Sequence, residues 1–166
     1  MEKLWSPWRS QYIDSIKEKN PASICFLCDA VNQDPLDMNN FLISKGETTF
    51  TIMNLYPYNN GHLMVVPKRH LSNFIELSQE ENSEIMKGLQ NAQLALTEVL
   101  KPEGFNIGAN LGKVSGAGVD DHIHFHMVPR WNGDTNFMPV LGEVKIISQD
   151  LLVTKEKLLR AYSRLK

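Results

Sequence analysis

Only two cysteines, Cys25 and Cys28, occur in 166 residues, so a disulfide framework is excluded as the source of stability. No run approaches the ~18–20 apolar residues of a membrane-spanning helix, which argues against a membrane partner. The opening Met1-Glu2-Lys3-Leu4-Trp5-Ser6-Pro7 lacks the apolar stretch of an export signal. Neither sign of charge dominates. With 17 Lys and Arg against 19 Asp and Glu, the net charge is −2, and no broad basic surface for nucleic acid is implied. Internal repeats, low-complexity tracts and interdomain linkers are lacking too. These absences point to one cytoplasmic domain over 1–166, with 1–24 as an N-terminal arm and enough chain to bury a core.

What the chain has in excess is histidine at one place. Three of its five histidines fall in His122-Ile123-His124-Phe125-His126-Met127-Val128. On a strand, alternate side chains share a face, which puts the three imidazoles together and turns Ile123, Phe125 and Met127 into a core. Clustered imidazoles compete for protons and repel when charged, so a solvated strand face carries Thr, Lys or Glu more readily than three histidines. A single metal held by all three is poor geometry: i and i+2 lie ~6.6 Å apart along a strand and i and i+4 twice that. Nucleophilic catalysis uses the spacing better. His124, the middle ring, attacks phosphorus to form a phosphoramidate, with the flanking rings donating to phosphate oxygens where charge develops.

The pair Cys25-x-x-Cys28 suggests a metal clip or a redox pair. A tetrahedral zinc needs two more ligands, and His70 and His122 are the best remaining donors. Chance spacing of two buried thiols is the plain alternative. The glycines of Asn110-Leu111-Gly112 and Ser115-Gly116-Ala117-Gly118 let backbone amides approach a phosphate without Cβ obstruction, although the stretch is not a Walker loop.

The rest reads as an α+β domain with an antiparallel sheet, one long helix and a C-terminal helix. A short helix is expected from about Pro7 to Lys19, ended by Asn20-Pro21. Trp5 and Trp8 suggest that this arm packs on the domain or a partner subunit. Asn32 to Asn40 reads as a turn or mobile link. Strands are expected at Phe41–Ser44 and Thr48–Met53 around a Gly46 turn, then at His62–Pro67, Phe105–Leu111, the histidine stretch and Val144–Ile147. Ser78-x-x-Glu81 is a capping box, and Ile85, Leu89, Ala92 and Leu96 keep a helical period until Lys101-Pro102-Glu103-Gly104. Leu151 to Leu165 repeats the amphipathic pattern.

The histidine stretch matches the H-φ-H-φ-H-φ-φ signature, and the chain resembles the histidine triad superfamily of nucleotide hydrolases and transferases over about residues 41–131. Asn54, with Gly61-His62 following and Leu-Met-Val-Val-Pro67-Lys68-Arg69-His70 after it, looks like the first half of that family. Leu4-Trp5-Ser6-Pro7-Trp8-Arg9, Cys25-x-x-Cys28 and Pro129-Arg130-Trp131 with Gly133–Phe137 look like a narrower group, the bacterial diadenosine tetraphosphate phosphorylases or ATP adenylyltransferases. The resemblance implies that His124 is the nucleophile, that His126 and His62 contact the α-phosphate, and that His122 holds the array. Asn54 would bind ribose, Asn110 and the Gly116, Ala117 and Gly118 backbone would bind phosphate, and Trp131 would contact substrate. In zinc-containing relatives the ligands match Cys25, Cys28, His70 and His122.

The resemblance also implies a homodimer and a dinucleoside polyphosphate substrate with inorganic phosphate as acceptor; whether Mg²⁺ accompanies the nucleotide is not written in the residues, although Asp120 and Asp121 could attract a cation. Hydrolysis by the same intermediate is the nearest alternative, and a non-catalytic nucleotide-binding module the more distant one. One departure stands out. Where many relatives place Ser or Thr before the triad, this chain has Gly118-Val119-Asp120-Asp121, so leaving-group assistance falls to backbone, water, metal or Ser115.

Overall fold

A computed structural model describes residues 25–116, 118–135 and 147–165. The expected N-terminal helix, Ala117 and most of the expected Val144–Ile147 strand lie outside these residues. The described chain forms five strands: β1 (Leu42–Lys45), β2 (Thr49–Met53), β3 (Leu63–Pro67), β4 (Gly104–Ala109) and β5 (Phe125–Arg130). Every pairing is antiparallel, in the order β1-β2-β3-β5-β4. Three helices accompany them: α1 (Phe26–Ala30), α2 (Gln79–Leu100) and α3 (Leu151–Tyr162). This is the α+β architecture expected. No described helix is long and apolar enough to cross a membrane.

Both middle strands β2 and β3 are buried along their full length, so they read as nearly continuous apolar runs. Their two faces serve two cores. Met53, Leu63 and Val65 face α2 and α3, where Ile85, Leu89, Ala92, Leu96, Leu158 and Ala161 close over them. Phe50, Ile52, Met64 and Val66 face the other way, onto Leu27 and Ala30 of α1. Helix α2 begins as its capping box requires: Ser78 Oγ accepts the Glu81 amide, and the Glu81 carboxylate accepts the Ser78 amide. It ends at Lys101 in the left-handed conformation (φ 48°), with Pro102 next.

Two side chains tie loops to this frame. Glu84 on α2 accepts the amides of Glu47 and Thr48 at the β1–β2 turn, at 2.7 and 2.6 Å. Gly46 makes room for it, since a Cβ there would lie 1.7 Å from Glu84 Oε1. Lys155 on α3 is fully buried, and its ammonium donates to Asp37 O, Asn40 O and Asn40 Oδ1 at 2.7, 2.9 and 3.1 Å. All three protons have acceptors, which is the condition for burying a lysine. The polar segment before β1, expected as a turn or mobile link, is therefore pinned to the last helix.

One expectation needs correcting. Strand β5 starts at Phe125, so His122 and His124 precede it and only His126 lies within it. The ladder stops short because its groups are taken elsewhere: the Ile123 amide donates to Leu71 O and the His122 carbonyl accepts a ring proton of His124. The alternation survives the change. Ile123 and Met127 join the core under α2, and Phe125 packs against it.

Candidate active site and metal centre

The histidines are sorted by which ring nitrogen carries the proton, and in each case a neighbour decides. His122 is completely buried, and its Nε2 donates to Pro67 O at 2.9 Å. Its Nδ1 is left as a lone pair, pointing at Cys25 Sγ and Cys28 Sγ, 3.4 and 3.5 Å away. His124 is the reverse. Its Nδ1 donates to the His122 carbonyl at 2.9 Å, so the lone pair falls on Nε2. Burial pushes both rings below the usual imidazole range, the bonds to Pro67 and to His122 pulling the other way, so both are neutral near pH 7.

His126 takes its polarity from a two-step chain. The Tyr58 amide, which can only donate, reaches His62 Nδ1 at 3.0 Å. The His62 proton is therefore on Nε2, which donates to His126 Nδ1 at 2.9 Å. His126 carries its own proton on Nε2 as a result, and becomes a donor where His124 has a lone pair. The His124 and His126 rings meet edge to face with centroids 4.8 Å apart. His62 and His126 are both almost wholly buried.

At the other end, Cys25, Cys28, His70 and His122 offer four ligand atoms all within 4.8 Å of one another, the arrangement expected from donor type. The short helix α1 carries Cys28 one turn beyond Cys25, its N-cap residue, and so brings both sulfurs to one side. His70 Nδ1 lies 3.3 Å from Cys28 Sγ. These S···N separations fit the edge of a zinc tetrahedron built from Zn–S ≈ 2.3 and Zn–N ≈ 2.0–2.1 Å bonds, about 3.5 Å. The Pro67 carbonyl on the far nitrogen of His122 supplies the outer partner that orients a metal-ligating imidazole. Burial raises the Cys25 thiol to about 11, so a thiolate there calls for a cation beside it.

The other candidate residues are placed unevenly. Asn54 sits beside this array, its Nδ2 3.4 Å from His62 Nδ1 and its Oδ1 accepting the Tyr56 amide. Asn110 follows the Ala109–Phe125 pair directly, which brings it level with His124. Gly112 and Gly116 hold positive φ values of 75° and 85°, which L side chains rarely adopt, and Gly118 is exposed. Ser115 Oγ donates to Gly112 O at 2.6 Å, so its proton serves the loop. Trp131 is half-buried and lines a 420 Å³ cavity with Asn59, Asn60, Leu100 and Asp134, away from the histidines. Sequence reasoning passed over Tyr58, Asn59 and the Pro67 carbonyl. Two of these act through backbone atoms and carry no residue-type signal; the Asn59-Asn60-Gly61 turn composition was the one available hint.

Comparison with known proteins agrees with this geometry. The HIT-domain model matches residues 37–133. The AP-4-A phosphorylase of Mycobacterium tuberculosis is 36% identical over 167 residues, covering 99% of this chain and 86% of the relative. An uncharacterised HIT-like protein of Methanocaldococcus jannaschii is 32% identical over 137 residues, covering 81% and 99%. A zinc-bound histidine triad family protein from Mycobacterium smegmatis superposes with a TM-score of 0.67 at 27% identity, covering 85% of this chain and 94% of that one. The chain belongs to the histidine triad (HIT) family. It is an enzyme of that family's nucleotidyl transferase and hydrolase class.

Proposed function

We propose that this enzyme cleaves dinucleoside polyphosphates by nucleotidyl transfer to phosphate, converting diadenosine tetraphosphate and inorganic phosphate to ATP and ADP. The observation that carries the reading is the His124 hydrogen bond to the His122 carbonyl, which leaves an unprotonated Nε2 in a neutral ring. In the first half, a bond forms between that nitrogen and the α-phosphorus, and the bond from phosphorus to the bridging oxygen breaks, releasing ATP. In the second half, a phosphate oxygen attacks the same phosphorus, ADP leaves and His124 regains its lone pair. His126, with its proton on Nε2, donates to a non-bridging oxygen as charge accumulates. Asn54 beside His62 is suited to a ribose hydroxyl, and Asn110 with the Gly116–Gly118 backbone to phosphate. The choice of substrate and acceptor rests on the similarity to the M. tuberculosis enzyme.

Cys25, Cys28, His70 and His122 would hold a structural zinc, whose chemistry is to fasten α1 to the start of the histidine stretch. Two free thiols in such a clip need a reducing compartment, which favours the cytoplasm. A magnesium ion would arrive with the polyphosphate. A homodimer fits the outer position of β4, where Ile107 is more than half exposed on an edge that no other described strand pairs with. Residues 1–166 then form one domain, with 1–24 as its arm.

The test is incubation with diadenosine tetraphosphate, with and without phosphate, and separation of the products. Phosphate-dependent ADP and ATP is the expected result. AMP and ATP in equal yield under both conditions would replace phosphorolysis with hydrolysis, and saturable binding without products would leave a binding module.

A further inference from the structure

Beyond the histidines, one polar cluster reaches back to them. The Asp134 side chain is only 8% exposed and collects four N–H groups. Arg130 Nε and Nη2 donate to it at 2.6 and 3.0 Å, the Trp131 amide at 3.1 Å and Asn59 Nδ2 at 2.8 Å. The Arg130 guanidinium holds the Asp134 carboxyl down to about 2, so it is ionised at any ordinary pH. Arg130 Nη1 also donates to Asn106 Oδ1 on β4.

Asn59 is the link. Its Nδ2 also donates to Pro129 O at 3.1 Å, its Oδ1 accepts the Asn60 amide, and its carbonyl accepts the His62 amide. The residue just before it is Tyr58, whose amide reaches His62 Nδ1 and whose ring lies against His62 and His126, with centroids 4.7 and 5.4 Å apart. The loop between β2 and β3 thus hangs on a carboxylate 75 residues away in sequence.

We propose that Asp134 is a positioning residue that, through Asn59, fixes the Tyr58–His62 turn and thereby the proton arrangement of the His62–His126 pair. A displacement of about 1 Å takes the 3.0 Å Tyr58–His62 bond out of hydrogen-bonding range. Asn54 Nδ2, at 3.4 Å, is a longer and weaker donor to the same nitrogen, so His62 can then carry its proton on Nδ1 and present a lone pair at Nε2. His126 answers by donating from Nδ1, and its Nε2 turns from donor to acceptor. A phosphate oxygen meets a lone pair instead of a proton. The clamp therefore acts on polarity as well as on place.

This inference rests on His126 serving phosphate, and its test separates the two. Nitrogen-resolved NMR of the imidazole rings needs no substrate. It is applied to Asp134→Ala, Asp134→Asn and Asn59→Ala beside the unaltered protein. Asp134→Ala is expected to shift His126 from the Nε2–H form toward Nδ1–H and to lower kcat about 10- to 100-fold, with KM within about threefold. Asp134→Asn, which keeps an acceptor for Asn59 and Trp131, is expected to restore most of both. Folded Asp134→Ala with unchanged tautomers, or with its loss confined to KM, overturns the clamp. If Asp134→Ala does not fold, Asn59→Ala, which leaves the Arg130–Asp134 pair intact, must show the same tautomer shift; an unchanged spectrum there overturns it equally. Tautomer shifts in a protein that never turns over nucleotide would keep the clamp and remove the functional reading.

Discussion

His122 and His126 are the same side chain on the same face of one short stretch, yet they sit in opposite kinds of environment. Around His122 stand two thiols, the exposed imidazole of His70 and a proline carbonyl, and the ring presents a lone pair to sulfur. Around His126 stand His62, Tyr58 and a network ending on Asp134, and the ring presents a proton. His124 lies between, oriented by the backbone of one and packed edge to face on the other. The difference teaches that a row of imidazoles takes three hydrogen-bonding states from three partners. Only one of those partners is itself a histidine ring; the others are main-chain carbonyls, at Pro67 and His122.

The sharpest way to break the comparison is to remove the middle ring. His124→Ala is expected to lower kcat about 10⁴-fold or more while leaving metal content unchanged, measured by product release and metal analysis together. Next comes the donor end. His126→Gln keeps an N–H group but loses the pairing with His62, and a kcat loss of about 10²–10³-fold is expected, with little change in melting temperature. The clip end should respond in the opposite sense, in stability before rate. Stripping the metal with a chelator, or Cys28→Ser, forfeits binding energy of about 3–4 kcal/mol for a ligand held at 100–1,000 times its Kd. For a chain of this length that lowers Tm by roughly 10 °C. An unchanged Tm in metal-analysed protein would remove the clip from the account.

The smallest effect expected is acid titration of the donor end. Asp134 is held below its unfolded pKa, so it stabilises the fold above the ordinary carboxylate range, and that contribution fades as pH falls toward about 2. Denaturant midpoints compared for the unaltered protein and Asp134→Asn should therefore converge as pH drops from 5 toward 2. A gap that stays constant or widens would contradict this.

Much of this was legible because it is local. Ser78 and Glu81 declare the start of α2 within three residues, and Ile85, Leu89, Ala92 and Leu96 declare its buried face. The four candidate metal donors followed from chemistry, since the chain has so few soft ligands to choose from. Less was legible where partners are distant or belong to the main chain. Nothing in a lysine within an amphipathic helix marks Lys155 as fully buried; its acceptors lie 115 to 118 residues away. The late start of β5 depends on the His122 carbonyl taking a side-chain proton, which alternation of residue types does not record. Asp134 and Asn59 form a pair only once β3 and β5 lie side by side.

The central claim is that one histidine of the three becomes covalently bonded to the nucleotide. Brief exposure to diadenosine tetraphosphate without phosphate, followed by peptide mass mapping, tests it directly. The account predicts an adenylyl group on His124 that disappears, with ADP formed, when phosphate is added. An adduct on His122 or His126, or steady turnover with no adduct on any histidine, would contradict it.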